Sequence, residues 1–181
     1  GSVLIPLDED SVIQAALKFK DENVEAIAIG LLHCYVNPSH ENRIANIIAS
    51  VIPNTPISLS SKISPEIREY DRISTTVANA YVLPLMRGYL DSLEAFLKSS
   101  GYTAPLLLMM SSGSMTTVET AREIPIRLVE SGPAGGAVLA REIAAECALE
   151  KVLSFDMGGT TAKICYIDQY QPHFSRSFEV A

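Results

Sequence analysis

Val152-Leu153-Ser154-Phe155-Asp156-Met157-Gly158-Gly159-Thr160-Thr161-Ala162-Lys163-Ile164-Cys165-Tyr166-Ile167 runs as two apolar segments hinged on a glycine pair. A strand ends near a carboxylate, Gly158-Gly159 turns the chain with no Cβ in the way, two threonines follow, and a second strand departs. Glycines at such a bend let backbone N–H groups converge on phosphate oxygens. The hydroxyls of Thr160 and Thr161 add donors, and Asp156 is placed to hold a magnesium ion through its waters. Two readings follow. The segment is a phosphate hairpin with Asp156, Gly158, Gly159, Thr160 and Thr161 as contacts, or the glycines form a plain two-residue β-turn, for which such pairs are favoured. A carboxylate at the strand end and two hydroxyls beyond the turn exceed what a turn requires, which supports the first. Neither G-x-G-x-x-G nor G-x-x-x-x-G-K-[ST] occurs, so this is not a phosphate loop of the helix-preceding type.

Immediately upstream, Glu130-Ser131-Gly132-Pro133-Ala134-Gly135-Gly136-Ala137 opens an alanine- and glycine-rich helix expected over residues 133–149. With Ser131 or Gly132 as cap and Pro133 at the first helical position, its free N–H groups and positive dipole end are able to face an anion. The competing reading is that the small residues 134–137 only permit close packing against a sheet. Downstream, residues 151–181 read as three successive strands.

Moving further towards the N-terminus, residues 118–122 read as a short helix, 111–114 as a serine- and glycine-containing loop, and 106–110 as a strand. Leu85 or Met86, Tyr89, Leu90, Leu93, Phe96 and Leu97 lie on one face of a helix that Gly101 stops. Before it, Ile67, Tyr70, Ile73, Val77 and Tyr81 recur at three or four residues, the spacing of a core stripe, until Pro84 ends or kinks their helix. Arg68, Glu69, Asp71 and Arg72 read as a solvated helix face with local ion pairs, whereas Asn79 needs a hydrogen-bond partner if buried.

Residues 3–5, 10–20, 26–32, 39–52 and 57–59 alternate apolar runs with helical periodicity in the order β-α-β-α-β. In the second of these helices Ile44, Ile47, Ile48 and Val51 share a stripe, with Asn37 as cap and Pro38 at the first position. Crossovers of this length imply a parallel or mixed sheet covered by helices. The composition changes near residues 60–65, the expected boundary between a first region over 3–62 and a second over 63–181; Gly1-Ser2 reads as the remnant of a cleaved tag.

The totals exclude several functions. Fourteen basic against 21 acidic residues give a net charge of −7, which argues against a nucleic-acid or anionic-membrane partner. With 48% apolar residues the chain has ample material for a core, yet its apolar runs are too short to span a membrane. Cys34, Cys147 and Cys165 fit neither a disulfide framework nor a metal-ligand spacing, so a reducing cytoplasm is the expected location. His33, His40 and His173 show no ligand spacing either.

Taken together, Ser131-Gly132-Pro133-Ala134-Gly135-Gly136 and Phe155-Asp156-Met157-Gly158-Gly159-Thr160-Thr161 strongly resemble the hydantoinase A / 5-oxoprolinase family. Leu31-Leu32-His33-Cys34-Tyr35-Val36-Asn37-Pro38-Ser39-His40-Glu41, Pro65-Glu66-Ile67-Arg68-Glu69-Tyr70-Asp71-Arg72 and Asn79-Ala80-Tyr81 look like that family's sequence in the same order. The resemblance implies an α/β fragment of an actin-like ATPase fold, ribonuclease H-like, with a mixed sheet and flanking helices. In that fold two halves each supply a phosphate hairpin, and this chain holds the second. It implies ATP and Mg2+ as cofactors, with Asp156 the metal contact and Gly158, Gly159, Thr160 and Thr161 the phosphate contacts. Ser131, Gly132 and Pro133 match the family's other loop. The implied reaction is ATP-dependent opening of a cyclic amide, of hydantoin or 5-oxoproline type, through phosphorylation of the amide oxygen, commonly with a B-type partner subunit. Some relatives instead carboxylate ketones. For the isolated 181 residues, with one hairpin, a non-catalytic interaction domain is the remaining reading. Two departures leave the substrate subgroup open: Thr161-Ala162-Lys163 stands where many members have a Ser-Thr-Asp-like run, and Ser112-Gly113-Ser114-Met115 replaces a more glycine-rich loop.

Overall fold

The computed structural model describes residues 2–159 and 161–173. The chain falls into two compact units, Gly1–Ala104 with Glu119–Ile126, and Pro105–Val118 with Arg127–Ala181. Residues 60–65, where the composition shifts, lie inside the first of these units.

In the first unit, α1 (Glu9–Asp21) starts where the Asp8 carboxylate accepts from the Ser11 N–H at 3.1 Å, with Glu9 and Asp10 in the first turn, where the helix dipole favours negative charge. Strand β1 (Ile27–Ile29), helix α2 (Ser39–Val51) and strand β2 (Ile57–Leu59) follow, and the strands pair in parallel as Ile27↔Ile57, Ala28↔Ser58 and Ile29↔Leu59. The crossover through α2 is the reason for that parallel pairing. The N-cap of α2 is Pro38, not Asn37, because the helix opens one residue later, at Ser39; the Asn37 side-chain oxygen accepts from the Ser39 N–H at 3.1 Å. Ala16, Ile27, Ile29, Ile48 and Leu59 form the core, with Val12, Phe19, Ile44 and Ile57 packed around them. Each large side chain fully buried there contributes about 1.5–3 kcal/mol.

The expected strand at residues 3–5 does not form; Leu4 is 92% and Ile5 79% exposed. A strand exists only where another offers its ladder, and the β1–β2 sheet has just two members among the described residues.

After the short α3 (Ser60–Ile63), a single α4 runs from Glu69 to Ser99 with Pro84 inside it. Pro84 lacks the N–H that would reach back one turn, yet Leu83 and Leu90 are both buried beside it and hold the helix together across the lost bond. The expected tyrosine stripe is on the wrong face: Tyr70 is 83%, Tyr81 85% and Tyr89 57% exposed. Arg72, Thr76, Asn79, Ala80, Leu83 and Leu90 occupy the inner face instead, so Arg72 is fully buried and not part of a solvated surface. Close approach of α4 depends on Gly30, where a Cβ would lie 2.7 Å from Ile73 Cγ1.

The second unit opens with β3 (Leu107–Met109) and β4 (Met115–Thr117), an antiparallel pair in register at Leu108↔Thr116. Their turn needs Gly113, whose φ of +79° is left-handed and whose N–H donates to Met110 O at 2.9 Å. α5 (Val118–Glu123) and a 3-10 turn (Pro125–Leu128) carry the chain through the first unit and back. Then come α6 (Ser131–Glu146) and the antiparallel sheet β5 (Lys151–Met157), β6 (Ala162–Asp168) and β7 (Gln171–Pro172). α6 packs on one face of this sheet, burying Ala137, Ala144 and Ile167. The opposite face leaves Leu153, Phe155, Met157 and Ile164 between 60% and 71% exposed. The expected strands before residue 173 are thus present, and whatever follows it lies outside the described residues.

Candidate functional site

The β5–β6 hairpin pairs Met157↔Ala162 as its last rung, and Gly158, Gly159 and Thr161 lie in the connection between the two strands. The Gly158 N–H donates to Thr161 O at 3.0 Å and closes the loop on itself. That amide is bonded inside the turn. Gly159 and Thr161 are exposed, and Thr160 lies outside the described residues. Asp156 is exposed near the strand end and directly opposite Lys163 in the ladder, so the two side chains share a face.

Lys163 reaches across to the Glu130 carboxylate and forms an ion pair with it. Glu130 is the residue from which α6 starts, and it adopts φ 66° and ψ 20°, a left-handed conformation unusual for anything but glycine or asparagine. The helix itself opens at Ser131, so Ser131 and Gly132 lie in its first turn, Pro133 is third rather than first, and no side chain caps it. A Cβ at Gly132 or Gly136 would meet open space, while one at Gly135 would make only ordinary contact with Met109 at 4.0 Å. Close packing among the described residues therefore does not account for these glycines.

Between the helix start, β6 and the β3–β4 loop lies a cleft of about 320 Å3, lined by Ser111, Gly113, Glu130, Pro133, Lys163 and His173 among others. Its surface is mostly apolar, and the Glu130–Lys163 pair is its charged feature. The loop opposite is rigidly held: the Ser111 N–H donates to Arg127 O at 2.8 Å, and the Ser112 and Ser114 hydroxyls bond to each other at 2.7 Å. Asp156, Gly158, Gly159, Thr161, Ser131 and Gly132 do not line this cleft. Sequence spacing alone did not expose the Glu130–Lys163 pair, because the residues are 33 positions apart on a helix start and a strand.

A second cluster, in the first unit, was also missed. Glu41, Ser58, Ser60, Arg72, Thr76 and Asn79 are all buried. The Glu41 carboxylate accepts from the Leu31 N–H at 3.0 Å, the Ser60 hydroxyl at 2.7 Å and the Ser61 N–H at 2.9 Å. Burial pushes its carboxyl up, but the donors at Ser61 and Ser60 and the nearby Cys34 thiol outweigh this and hold it below its ordinary value. Arg72 donates to Ser60 Oγ at 3.3 Å, Glu66 O at 2.5 Å and Leu31 O at 3.0 Å, with its guanidinium 5.4 Å from the centre of the Tyr35 ring. Asn79, whose need of a partner was evident, donates to Ser58 Oγ at 3.0 Å and Glu123 O at 3.3 Å and accepts from the Ile126 N–H at 3.1 Å. These contacts go mainly to backbone, so the cluster braces the fold.

The chain is thus a mixed α/β protein with an acid-tipped glycine–threonine hairpin beside a helix start. The family model described as hydantoinase/oxoprolinase matches residues 72–181, and that of the hydantoinase/oxoprolinase N-terminal region matches residues 1–52. The chain belongs to the hydantoinase/oxoprolinase family. It is 32% identical over 176 residues to the caprolactamase alpha subunit of Pseudomonas jessenii, covering 97% of this chain and 25% of that protein. It is 33% identical over 161 residues to the 5-oxoprolinase of Saccharomyces cerevisiae, covering 87% of this chain and 12% of the enzyme. The crystal structure of the ATP-dependent caprolactamase from P. jessenii superposes on 92% of this chain and 24% of its own, at a TM-score of 0.84 and 32% identity. A nucleotide-free acetone carboxylase structure gives a TM-score of 0.83 at 28% identity over 94% of this chain and 24% of its own. These likenesses establish the fold as part of the actin-like ATPase architecture. The chain spans about a quarter of the length of the caprolactamase subunit. Among the described residues no helix is long and apolar enough to cross a membrane.

Proposed function

We propose that these residues form the second phosphate-hairpin segment of an ATP-dependent enzyme that opens a cyclic amide. The carrying observation is the β5–β6 hairpin, which sets Asp156 on the exposed end of β5 and Gly159 and Thr161 in the exposed connection after it, in a chain similar to a caprolactamase named as ATP-dependent. In this reading Asp156 holds the water shell of a magnesium ion. No hydrogen bond or ion pair to its carboxylate is present among the described residues, and magnesium characteristically takes one or two carboxylates and keeps several waters. The fit is to a single carboxylate, since no group of three or more His, Cys, Asp or Glu able to hold a metal exists among the described residues. Magnesium nucleotide, when bound, would supply a phosphoryl group to the amide oxygen and so make the carbonyl carbon open to water.

The hairpin's own part is positioning. With the Gly158 N–H bonded to Thr161 O inside the turn, the Gly159 N–H and the Thr161 hydroxyl orient phosphate oxygens, Thr160 is expected to add a second hydroxyl, and Ser131 and Gly132, in the first turn of α6, are expected to offer backbone N–H groups. Phosphoryl transfer relies on converging electrostatics from several walls, so the 181 residues alone are inactive and the full-length protein with a partner subunit is the working enzyme. Full-length protein is expected to hydrolyse ATP faster when a lactam, hydantoin or 5-oxoproline is added, and Asp156→Ala to abolish the stimulation. Unchanged turnover in that variant would remove Asp156 from the site. A second reading, ketone carboxylation, draws on the acetone carboxylase likeness; bicarbonate-dependent consumption of a ketone, with no response to cyclic amides, would select it.

A further inference from the structure

The cleft beside the hairpin holds a cation with an internal partner. Lys163 projects from β6 on the face it shares with Asp156, and its ammonium lies against the Glu130 carboxylate at the lip of a mostly apolar cavity. Both side chains remain about one-third exposed, so the pair is open to exchange with a ligand and is not sealed in the core. Glu130 makes the contact from a left-handed backbone, a conformation that persists where surrounding interactions impose it. In the absence of a ligand an ammonium beside apolar walls needs a counter-charge, and Glu130 supplies it.

We propose that Lys163 is the residue that recognises an anionic phosphate group entering this cleft, and that Glu130 is an internal competitor which occupies Lys163 until the phosphate displaces it. This rests on the nucleotide-binding reading above and adds to it a specificity-determining cation and a gate. The Lys163–Glu130 pair opens, the ammonium turns to phosphate oxygens, and the freed Glu130 carboxylate returns to solvent. No covalent step is involved. Glu130 also sets a selectivity: a neutral ligand gains nothing by displacing it, and a dianionic phosphate outcompetes a monoanion for the same ammonium.

The test is equilibrium binding of magnesium-ATP and of inorganic pyrophosphate to the full chain and four variants. Removing a competitor of this exposure should tighten binding about two- to five-fold, the range of partly exposed ion pairs, in both Glu130→Gln and Glu130→Gly. Glu130→Gly keeps the left-handed backbone accessible, so agreement of the two separates charge from conformation. Lys163→Gln should weaken both ligands, and Glu130→Gln with Lys163→Gln should bind like Lys163→Gln alone, since the competitor then has nothing to occupy. Unchanged circular dichroism checks folding. If the parent chain binds and Glu130→Gln is equal or weaker, the gate is wrong while the nucleotide reading stands. If neither ligand binds the parent chain or Glu130→Gln, both fall together. Additive effects in the double variant would also overturn the competition.

Discussion

Glu41→Ala should be among the most damaging substitutions in the chain. Its carboxylate accepts from two backbone N–H groups, Leu31 at 3.0 Å and Ser61 at 2.9 Å, and from the Ser60 hydroxyl at 2.7 Å, all in a site where Glu41 itself is 0% exposed. Truncation strands those donors, each at about 1–3 kcal/mol when left without a partner. Release from carboxylate desolvation offsets part of this, so the net loss is on the order of 3–5 kcal/mol, as for other broken buried polar pairs. Against a total stability of about 5–15 kcal/mol, that is a large fraction. Urea unfolding followed by tyrosine fluorescence suits a chain with no tryptophan and seven tyrosines. The midpoint should fall with the slope unchanged. Because the folded carboxyl titrates below its ordinary value, its contribution is full above the unfolded pKa of about 4.3 and is lost as pH falls through the lower folded value. The parent should therefore lose stability towards acid more steeply than Glu41→Ala. A loss under about 1 kcal/mol would refute the estimate drawn from this network.

Gly30→Ala places a methyl 2.7 Å from Ile73 Cγ1 and should cost about 1–3 kcal/mol by overpacking, with Ile73→Ala recovering part of it in the double variant, read from the same urea curves. Gly113→Ala meets both a φ of +79° and Val138 Cγ2 at 3.1 Å, so a loss of about 1–2 kcal/mol is expected, measured by thermal unfolding. A neutral Gly113→Ala would mean the β3–β4 turn relaxes to another form.

Much of this architecture was legible because local signals and packing agreed. Residues 10–20 and 39–52 had clear apolar periodicity, and helices formed there within a residue or so at each end. The hairpin at Gly158-Gly159 appeared because two strands and a glycine turn need no distant partner to be recognised. Residues 3–5 failed for the opposite reason: a strand's existence depends on a neighbour's ladder, which a run of three apolar residues does not report. Tyr70, Val77 and Tyr81 were read with the right period and the wrong face, since periodicity shows that a stripe exists and not what covers it. At the candidate site, the strand end at Asp156 and the turn at Gly158-Gly159 were readable from their order. The internal use of the Gly158 amide and the pairing of Glu130 with Lys163 were not, because both depend on three-dimensional closure.

The polar inner face of α4 has a physical origin in the shortness of the sheet beneath it. β1 and β2 are three residues each, so the chain leaves the ladder while still near the core, and its N–H and C=O groups require other partners. Glu41 takes the Leu31 and Ser61 amides, Arg72 takes the Leu31 and Glu66 carbonyls, and Asn79 takes the Glu123 carbonyl and the Ile126 amide. Buried charge here substitutes for missing strand, which is why apolar periodicity mistook the inner face for the outer. This makes Arg72→Lys a decisive comparison. Lysine keeps the charge but replaces a planar fork by a single ammonium that cannot span Ser60, Leu31 and Glu66 together or lie flat near Tyr35. A loss of about 2 kcal/mol or more in urea unfolding is expected from the stranded carbonyls. If Arg72→Lys unfolds at the parent's midpoint, positive charge alone suffices and the backbone-pairing account of this helix face is wrong.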